Sequence, residues 1–403
     1  MRYFGPFLLL LLLIALFFRV EFFFTILYFL GAIYILARLW MRQATKQLRG
    51  GRRFTDRAFT DDRVPVRLTI ENNGWVPLLW VEIDETLPLG LRAAAFERQV
   101  IALAPHGRWE MTYILNCYRR GRYTIGPTTL RTSDPLGIAR QELRWREPHD
   151  LIVYPRVVPL ERLGLPTRSP LATLPASTPL FEDSSRIVSV RAYQRGDSLR
   201  RVHWPATART GQLVVKQFQQ AIARETAICL DLHEDGYATR FRYDAIELAI
   251  VVAASLANHA IVRESSPVGL VTQRAAPPVR QGTATATESR PTALPPRKER
   301  AHLTGLLELL ADVEMLTEPE PPFTDLLRRE RLGLAWGGTV VIITGRGSAE
   351  LTQALLALRR GGLAVAVILV GVTRPTDGVG DWAAPPGIAV HCVNTVRDLE
   401  ALT

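Results

Sequence analysis

The chain has 403 residues, 47% of them hydrophobic and 22% charged, with a net charge of +10. That length allows two or three domains, and the composition excludes a wholly disordered chain. Cys117, Cys229 and Cys392 are far apart and form no C-x-x-C pair, which excludes a disulfide scaffold and a cysteine-based zinc site and fits a reducing compartment.

The first 58 residues hold nine Arg or Lys against Glu21 and Asp56, so most of the net charge is local. Phe4–Phe18, interrupted only by Gly5 and Pro6, and Phe22–Ala37 are apolar runs separated by Arg19 and Glu21. Each is short of the ~20 residues a membrane-spanning helix needs. With their flanks they are read as a transmembrane helical hairpin turning at Arg19–Glu21. A cleaved signal peptide would need a small-residue cleavage site, which is missing between the runs. One long bent helix would bury Arg19 and Glu21 at a cost. Arg2 precedes the first run, and Arg38, Arg42, Lys46, Arg49, Arg52, Arg53 and Arg57 follow the second. By the positive-inside rule both ends, and everything after residue 58, face the cytoplasm. These cations are read as topology determinants touching anionic headgroups.

Residues 59–158 read as a β-sandwich. Val64–Glu71 alternates, Asn72-Asn73-Gly74 turns the chain and Leu78–Ile83 is extended again. Trp109–Leu115, Gly121–Ile125, Thr129–Thr132 and Leu151–Val153 are further strand-like runs between Gly, Pro and Asn punctuation. From Thr226 the pattern changes to alternating strands and helices. The strands are Ala227–Leu230, Val268–Val271, Thr339–Thr344, Leu363–Val370 and Ile388–Val393. Helices are expected at Tyr243–Arg263, through Leu303, Leu306, Leu307 and Leu310, and through Leu351, Ala354, Leu355 and Leu358. Ser348 caps the last of these and Gly361-Gly362 ends it. The alternation implies an α/β domain over 226–403, a doubly wound parallel sheet with helices on both faces. Arg274–Arg300, rich in Ala, Pro, Thr and Arg, reads as a flexible insertion in it.

Between the two domains, residues 159–225 contain an Arg-rich segment. Arg186, Arg191, Arg195, Arg200, Arg201, Arg209 and Lys216 face a single acid, Asp197, within 186–218. Gly196-Asp197 suggests a turn capping a short helix from Ser198 that carries Arg200, His203 and Trp204 until Pro205 limits it. Gly211 then turns the chain into a strand over Gln212–Phe218. The full spacing links Arg191, Tyr193, Gly196, Asp197, Arg200, His203, Trp204, Thr207, Arg209, Gly211 and Lys216.

That run resembles the hallmark of the bacterial domain-of-unknown-function 58 family, Tyr-x-x-Gly-Asp, then Arg-x-x-His-Trp, then Thr-Ala-Arg-x-Gly. Arg120-Gly121-Arg122-Tyr123 and Asp134-Pro135-Leu136-Gly137 in the β domain match it as well. The resemblance implies paired N-terminal membrane spans, a C-terminal domain similar to von Willebrand factor type A, and residence in the bacterial cytoplasmic membrane. It further implies association with MoxR-type AAA ATPases in an adaptor or assembly role, with no reaction established. Pro205 departs from the family, where a basic residue is common. A type A domain places a divalent metal at an Asp-x-Ser-x-Ser loop with a later acidic residue. Here Asp231 is followed by Leu232-His233-Glu234-Asp235, and Ile343-Thr344-Gly345 stands where the later acid is expected. Asp231 and Asp235 are therefore the candidate ligands for Mg²⁺, the alternative being a degenerate site in which Asp231 serves loop structure.

Asp197 and His203 invite a hydrolase or transferase reading, with the Asp orienting a general base. The competing expectation is an Asp–Arg ion pair with a buried His-Trp anchor. The three lysines, Lys46, Lys216 and Lys298, complete no P-loop, and neither G-x-S-x-G nor H-E-x-x-H occurs. The soluble region beyond 186–218 is nearly neutral, which argues against a nucleic-acid partner. The sequence is thus read as a membrane-anchored, non-enzymatic adaptor whose Arg-rich motif meets an acidic protein.

Overall fold

The computed structural model describes residues 4–18, 21–88, 90–93, 98–135, 137, 139–145, 148–160, 182–194, 202–220, 225–275, 289–317, 321–329, 334, 337–371, 382 and 385–400. The chain divides into two compact units, Met1–Arg156 and Val157–Thr403.

The first unit opens with α1 (Phe4–Phe18) and α2 (Glu21–Lys46). Phe22, Tyr28, Phe29, Ile35, Leu36 and Leu39 of α2 are exposed, and the helix is long and apolar enough to cross a membrane. At ~1.5 Å per residue α1 reaches only about 22 Å, short of a ~30 Å hydrocarbon core. Arg19 and Val20 of the expected turn lie outside the described residues, and Glu21 opens α2. α2 continues beyond its expected end at Ala37, because Ala37, Met41, Ala44 and Thr45 are buried at its C-terminal end. Thr45 also hydrogen-bonds Gln141 through their side chains.

Among the described residues three sheets follow. One orders β1 (Leu48–Arg53), β3 (Arg63–Asn72), β7 (Arg108–Cys117) and β5 (Leu91–Ala93). A second orders β10 (Arg140–Trp145), β9 (Thr128–Ser133), β4 (Leu78–Glu85) and β6 (Gln99–Leu103). In the third, β11 (His149–Tyr154) lies between β2 (Arg57–Phe59) and β8 (Gly121–Ile125). Val64, Val66, Leu68 and Ile70 of β3 share one core with Val81 and Ile83 of β4 and Leu130 of β9. The period-2 pattern thus buries one face of each strand, as a sandwich requires.

This unit corrects two expectations. The β domain starts at Leu48 rather than residue 59, since β1 pairs with β3 from Leu48–Asn72 to Arg53–Arg67. Arg52 is no headgroup ligand: its buried guanidinium pairs with buried Glu85 and donates to Ile125 O and Thr128 Oγ1, both at 2.8 Å. Strand alternation explains this, because Arg52 shares the inward face with Leu48 while Arg49 and Arg53 point out.

The second unit holds an antiparallel pair, β12 (Glu182–Ala192) and β13 (Val214–Gln220), with α3 (Trp204–Thr210) between them in sequence. A six-stranded sheet follows, ordered β16 (Ser289–Arg297), β15 (Val268–Ala275), β14 (Thr226–Leu230), β17 (Thr339–Thr344), β18 (Ala364–Val370) and β19 (Ala389–Val393). The last five are mutually parallel and β16 is antiparallel. α6 (Phe323–Arg329) and α7 (Ala349–Arg360) pack on one face through Leu326, Leu355 and Leu358. α4 (Arg242–Asn258) packs on β14, β17 and β18, with α5 (Arg300–Asp312) beside it. α8 (Val396–Glu400) ends the described chain. Ser348 accepts from Leu351 N at 3.0 Å and Gly361 donates to Ala357 O, so α7 begins and ends where its sequence signals stand.

The expected insertion at 274–300 is corrected over Ser289–Arg297, which forms the edge strand β16. Its Pro291, Pro295 and Pro296 cannot donate to a ladder, and an edge is where a sheet tolerates them. Gly269 on β15 permits this approach: a Cβ there would stand 2.8 Å from Leu294 O. Residues 276–288 lie outside the described residues.

Candidate functional site

β14 and β17 are neighbours whose connections leave in opposite directions, to β15 and to β18. A parallel sheet opens a crevice at the carboxyl ends of its strands where the order reverses in this way. A cleft of about 1060 Å³ lies there, lined by Asp231, His233 and Asp235 after β14, by Thr344 at the end of β17 and by Arg346, Ser348 and Glu350 beyond it. Thr317, Phe323 and Asp325 close a third side.

Asp231 is the buried centre of this cleft. Its backbone N–H donates to Ile343 O at 2.9 Å, continuing the β14–β17 ladder by one step. Its Oδ1 accepts from His233 N at 3.1 Å and its Oδ2 from Thr344 Oγ1 at 2.9 Å. The Tyr237 hydroxyl donates to Asp231 O at 2.6 Å. Burial pushes the Asp231 carboxyl pKa up, against the lowering effect of the two hydrogen bonds. Burial and the neighbouring Asp231 charge raise the Tyr237 phenol in the same way. Two glycines make room. A Cβ on Gly345 would stand 2.3 Å from Gly236 O, and one on Gly347 would overlap the Trp382 ring.

His233 Nε2 lies 3.0 Å from Thr317 O and 3.8 Å from Asp235 Oδ2. Glu234, beside them, forms an ion pair with Arg242 of α4. At the start of α7 the Glu350 carboxyl is held below the usual range by its own backbone N–H and by Ser348. The two expected metal ligands, Asp231 and Asp235, therefore line one cleft. Among the described residues no group of three or more His, Cys, Asp or Glu side chains is placed to hold an ion. A hard cation there would draw on Asp231, Asp235 and the hydroxyls of Thr344 and Ser348.

Where a later acid was expected, Thr344 supplies a donor to Asp231 instead. Phe323 and Asp325 were missed. They stand at the start of α6, where the preceding prolines, Pro321 and Pro322, were the one sequence signal.

The Arg-rich motif is built around α3. His203 caps that helix, its Nδ1 accepting from Ala206 N at 3.0 Å, and Gly211 ends it in the left-handed conformation at φ 68°. Thr207 Oγ1 accepts from Val214 N at 3.1 Å, and His203 N donates to Val214 O at 2.8 Å, tying the cap and the middle of α3 to the first residue of β13. Tyr193 N donates to Leu213 O at 2.8 Å, Arg191 Nη1 donates to Ala192 O at 3.2 Å, and Lys216 pairs with Val190 across the hairpin. Gly196, Asp197 and Arg200 lie outside the described residues, as does Ser198.

Two expectations about this motif are corrected. Pro205 opens α3 rather than limiting a helix, because a first-turn proline has no hydrogen bond to lose. Trp204 is 66% exposed, so His203 and Trp204 are not a buried anchor. Arg209 is exposed in the last turn of the same helix.

A family model described as "Protein of unknown function DUF58" matches residues 189–378, from this hairpin to the end of the α/β sheet's central strands. Residues 189–378, a little under half of the chain, are thus similar to that family. In sequence the chain is similar to the "Uncharacterized protein YeaD" of Bacillus subtilis (strain 168), 27% identical over 217 residues, 52% of this chain and 51% of that protein. The chain thus spans about half the length of the curated relative it matches. Among solved structures, it is similar to an aerotolerance-related membrane protein from Bacteroides fragilis, at 16% identity and TM-score 0.29, covering 44% of this chain and 96% of that one. It is also similar to the CARDB domain of the PF1109 protein from Pyrococcus furiosus, at 14% identity and TM-score 0.21, covering 26% and 86%.

Proposed function

We propose that this protein is a membrane-anchored adaptor or assembly factor without catalysis of its own. Helix α1 lengthened by its flanking residues, together with α2, forms a transmembrane hairpin in the bacterial cytoplasmic membrane, and the soluble units face the cytoplasm. The partner is a MoxR-type AAA ATPase. The observation that carries the docking role is α3: a short helix fixed at both ends by His203 and Gly211, displaying Trp204 and Arg209 to solvent. Exposed Trp and Arg side chains are the residue types enriched at interface hot spots, and a pre-fixed helix loses little entropy on binding. The C-terminal sheet is read as von Willebrand factor type A-like on its strand order and its single antiparallel edge strand.

The test is copurification of the full chain in detergent with a MoxR-type ATPase from the source membranes. Trp204→Ala and Arg209→Ala are expected to lose the ATPase while keeping the wild-type unfolding midpoint. Normal capture by both variants would leave the motif a purely structural one.

A second reading rests on the cleft at the strand ends. A hydrolase or transferase site there would use Asp231 and Asp235 with Mg²⁺; the alternative acid–base pair, Asp197 with His203, would be a separate site on the Arg-rich motif. The expected signature of the cleft site is a Mg²⁺-dependent rise in the melting temperature of the full chain that Asp231→Asn abolishes.

A further inference from the structure

β1 follows α2 after the single residue Gln47, so the start of the sandwich is fixed to the cytoplasm-side end of the helix read as a membrane span. The outward residues of β1 are Arg49, Gly51 and Arg53. The register sets Arg49 opposite Glu71, Gly51 opposite Thr69 and Arg53 opposite Arg67 on β3. β7 then adds Arg108 opposite Glu71. These side chains enclose a depression of about 350 Å³ on the outer face of the sheet.

Its floor is Gly51, where a Cβ would meet no atom within 4 Å. The four arginines around it are only partly neutralised. Arg108 lies 3.5 Å from Glu71, and both Arg67 and Arg108 approach Glu110, at 3.0 and 3.2 Å. Arg53 stands directly across from Arg67, a like-charge cross-strand pair that destabilises a sheet unless an anion lies between. Guanidinium groups converging on a small open space match the bidentate geometry of a phosphate.

We propose that this Arg49–Arg53–Arg67–Arg108 depression binds the phosphate of an anionic lipid headgroup. The proposal rests on α2 crossing the bilayer, which supplies the source: Arg49 comes three residues after Lys46, the end of α2. Basic residues next to a membrane helix lie within the reach of the leaflet's surface potential. Bound lipid would hold the sandwich at a fixed orientation on the membrane, with the Arg53–Arg67 repulsion relieved only there.

The experiment is native mass spectrometry of the full chain from mixed micelles of equal phosphatidylglycerol and phosphatidylcholine. Wild type is expected to retain phosphatidylglycerol preferentially. Arg49→Ala/Arg53→Ala should weaken that retention roughly thirtyfold, about fivefold for each basic residue near an anionic surface. Gly51→Leu keeps every charge but fills the depression, and is also expected to lose the preference. Arg263→Ala/Arg300→Ala, the same change of charge in the other unit, should keep it. Retention by Arg49→Ala/Arg53→Ala or by Gly51→Leu, or equal retention of both lipids by wild type, would overturn the site. Full competition by equimolar inorganic phosphate would overturn the lipid as its source. Both variants leave α2 intact, so loss from the membrane fraction by wild type would refute the anchor instead.

Discussion

Thr344 donates its hydroxyl hydrogen to the Asp231 carboxylate at 2.9 Å, joining two residues 113 positions apart at the ends of adjacent parallel strands. The strand order produces this contact: β14 and β17 meet only because the chain passes through β15, β16 and α5 before returning. Removing the donor leaves a buried carboxylate oxygen without that hydrogen. Thr344→Val is therefore expected to destabilise the α/β unit by about 1–3 kcal/mol. Thr344→Ser, which keeps the hydroxyl, should cost much less. Hydrogen exchange of the β14 and β17 amides in the full chain measures both.

Asp231 itself gives a pH signature. Its folded pKa is raised, chiefly by burial, so between the unfolded and folded values the folded state holds the extra proton. Its contribution is then fully present below the unfolded pKa and falls as pH rises through the folded one. Asp231→Asn removes this dependence while its amide can still meet Thr344 and the His233 N–H. Relative to wild type, the variant should gain stability as pH is raised from about 4 toward neutrality. A difference in melting temperature that is flat with pH would show that Asp231 is not the titrating group.

What the sequence disclosed follows from which signals are local. α7 was legible because Ser348, its apolar stripe and Gly361 are consecutive, and each acts where it stands. β3 and β8 were legible from alternation and turn residues alone. β16 was not, because three prolines argue against a strand unless the segment is known to be an edge, which is a tertiary fact. Arg52 was hidden for the same reason. Its neighbours Arg49 and Arg53 made it look like one of a solvated series, and only strand pairing shows that it points inward at Glu85. In the cleft, Asp231 was visible as the acid after a buried strand. Thr344, Phe323 and Asp325 reach it through chain reversals that no spacing encodes.

α3 separates display from support, and its residues should divide accordingly. His203→Ala removes the side-chain acceptor for Ala206 N, a cap loss worth about 1 kcal/mol. Gly211→Ala places a Cβ at φ 68° and should also cost about 1 kcal/mol. Trp204→Ala, at an exposed position, should change stability by less than about 0.5 kcal/mol. The helix-sensitive exchange rates of 204–210 would rise in the first two variants and stay unchanged in the third. If Trp204→Ala also loosens the helix, its ring has a structural duty and the partner-docking assignment loses its main support.

The buried pair Arg52–Glu85 is a harder test of what holds the sandwich together. Burial raises the Glu85 carboxyl pKa despite the adjacent guanidinium, which means desolvation outweighs the attraction between the two charges. Arg52→Leu would leave Glu85 buried without its counter-charge and is expected to cost about 3–5 kcal/mol. Glu85→Leu should be similarly severe, because it strands the guanidinium against Ile125 O and Thr128. The double variant Arg52→Leu/Glu85→Leu carries neither charge and should recover most of either loss, since apolar replacement of a buried pair is commonly near neutral. Urea unfolding of the full chain in detergent, followed by exchange at β3 and β7, gives the coupling energy. Additive losses in the double variant would mean that each side chain contributes through its other hydrogen bonds, and that the pair itself contributes little.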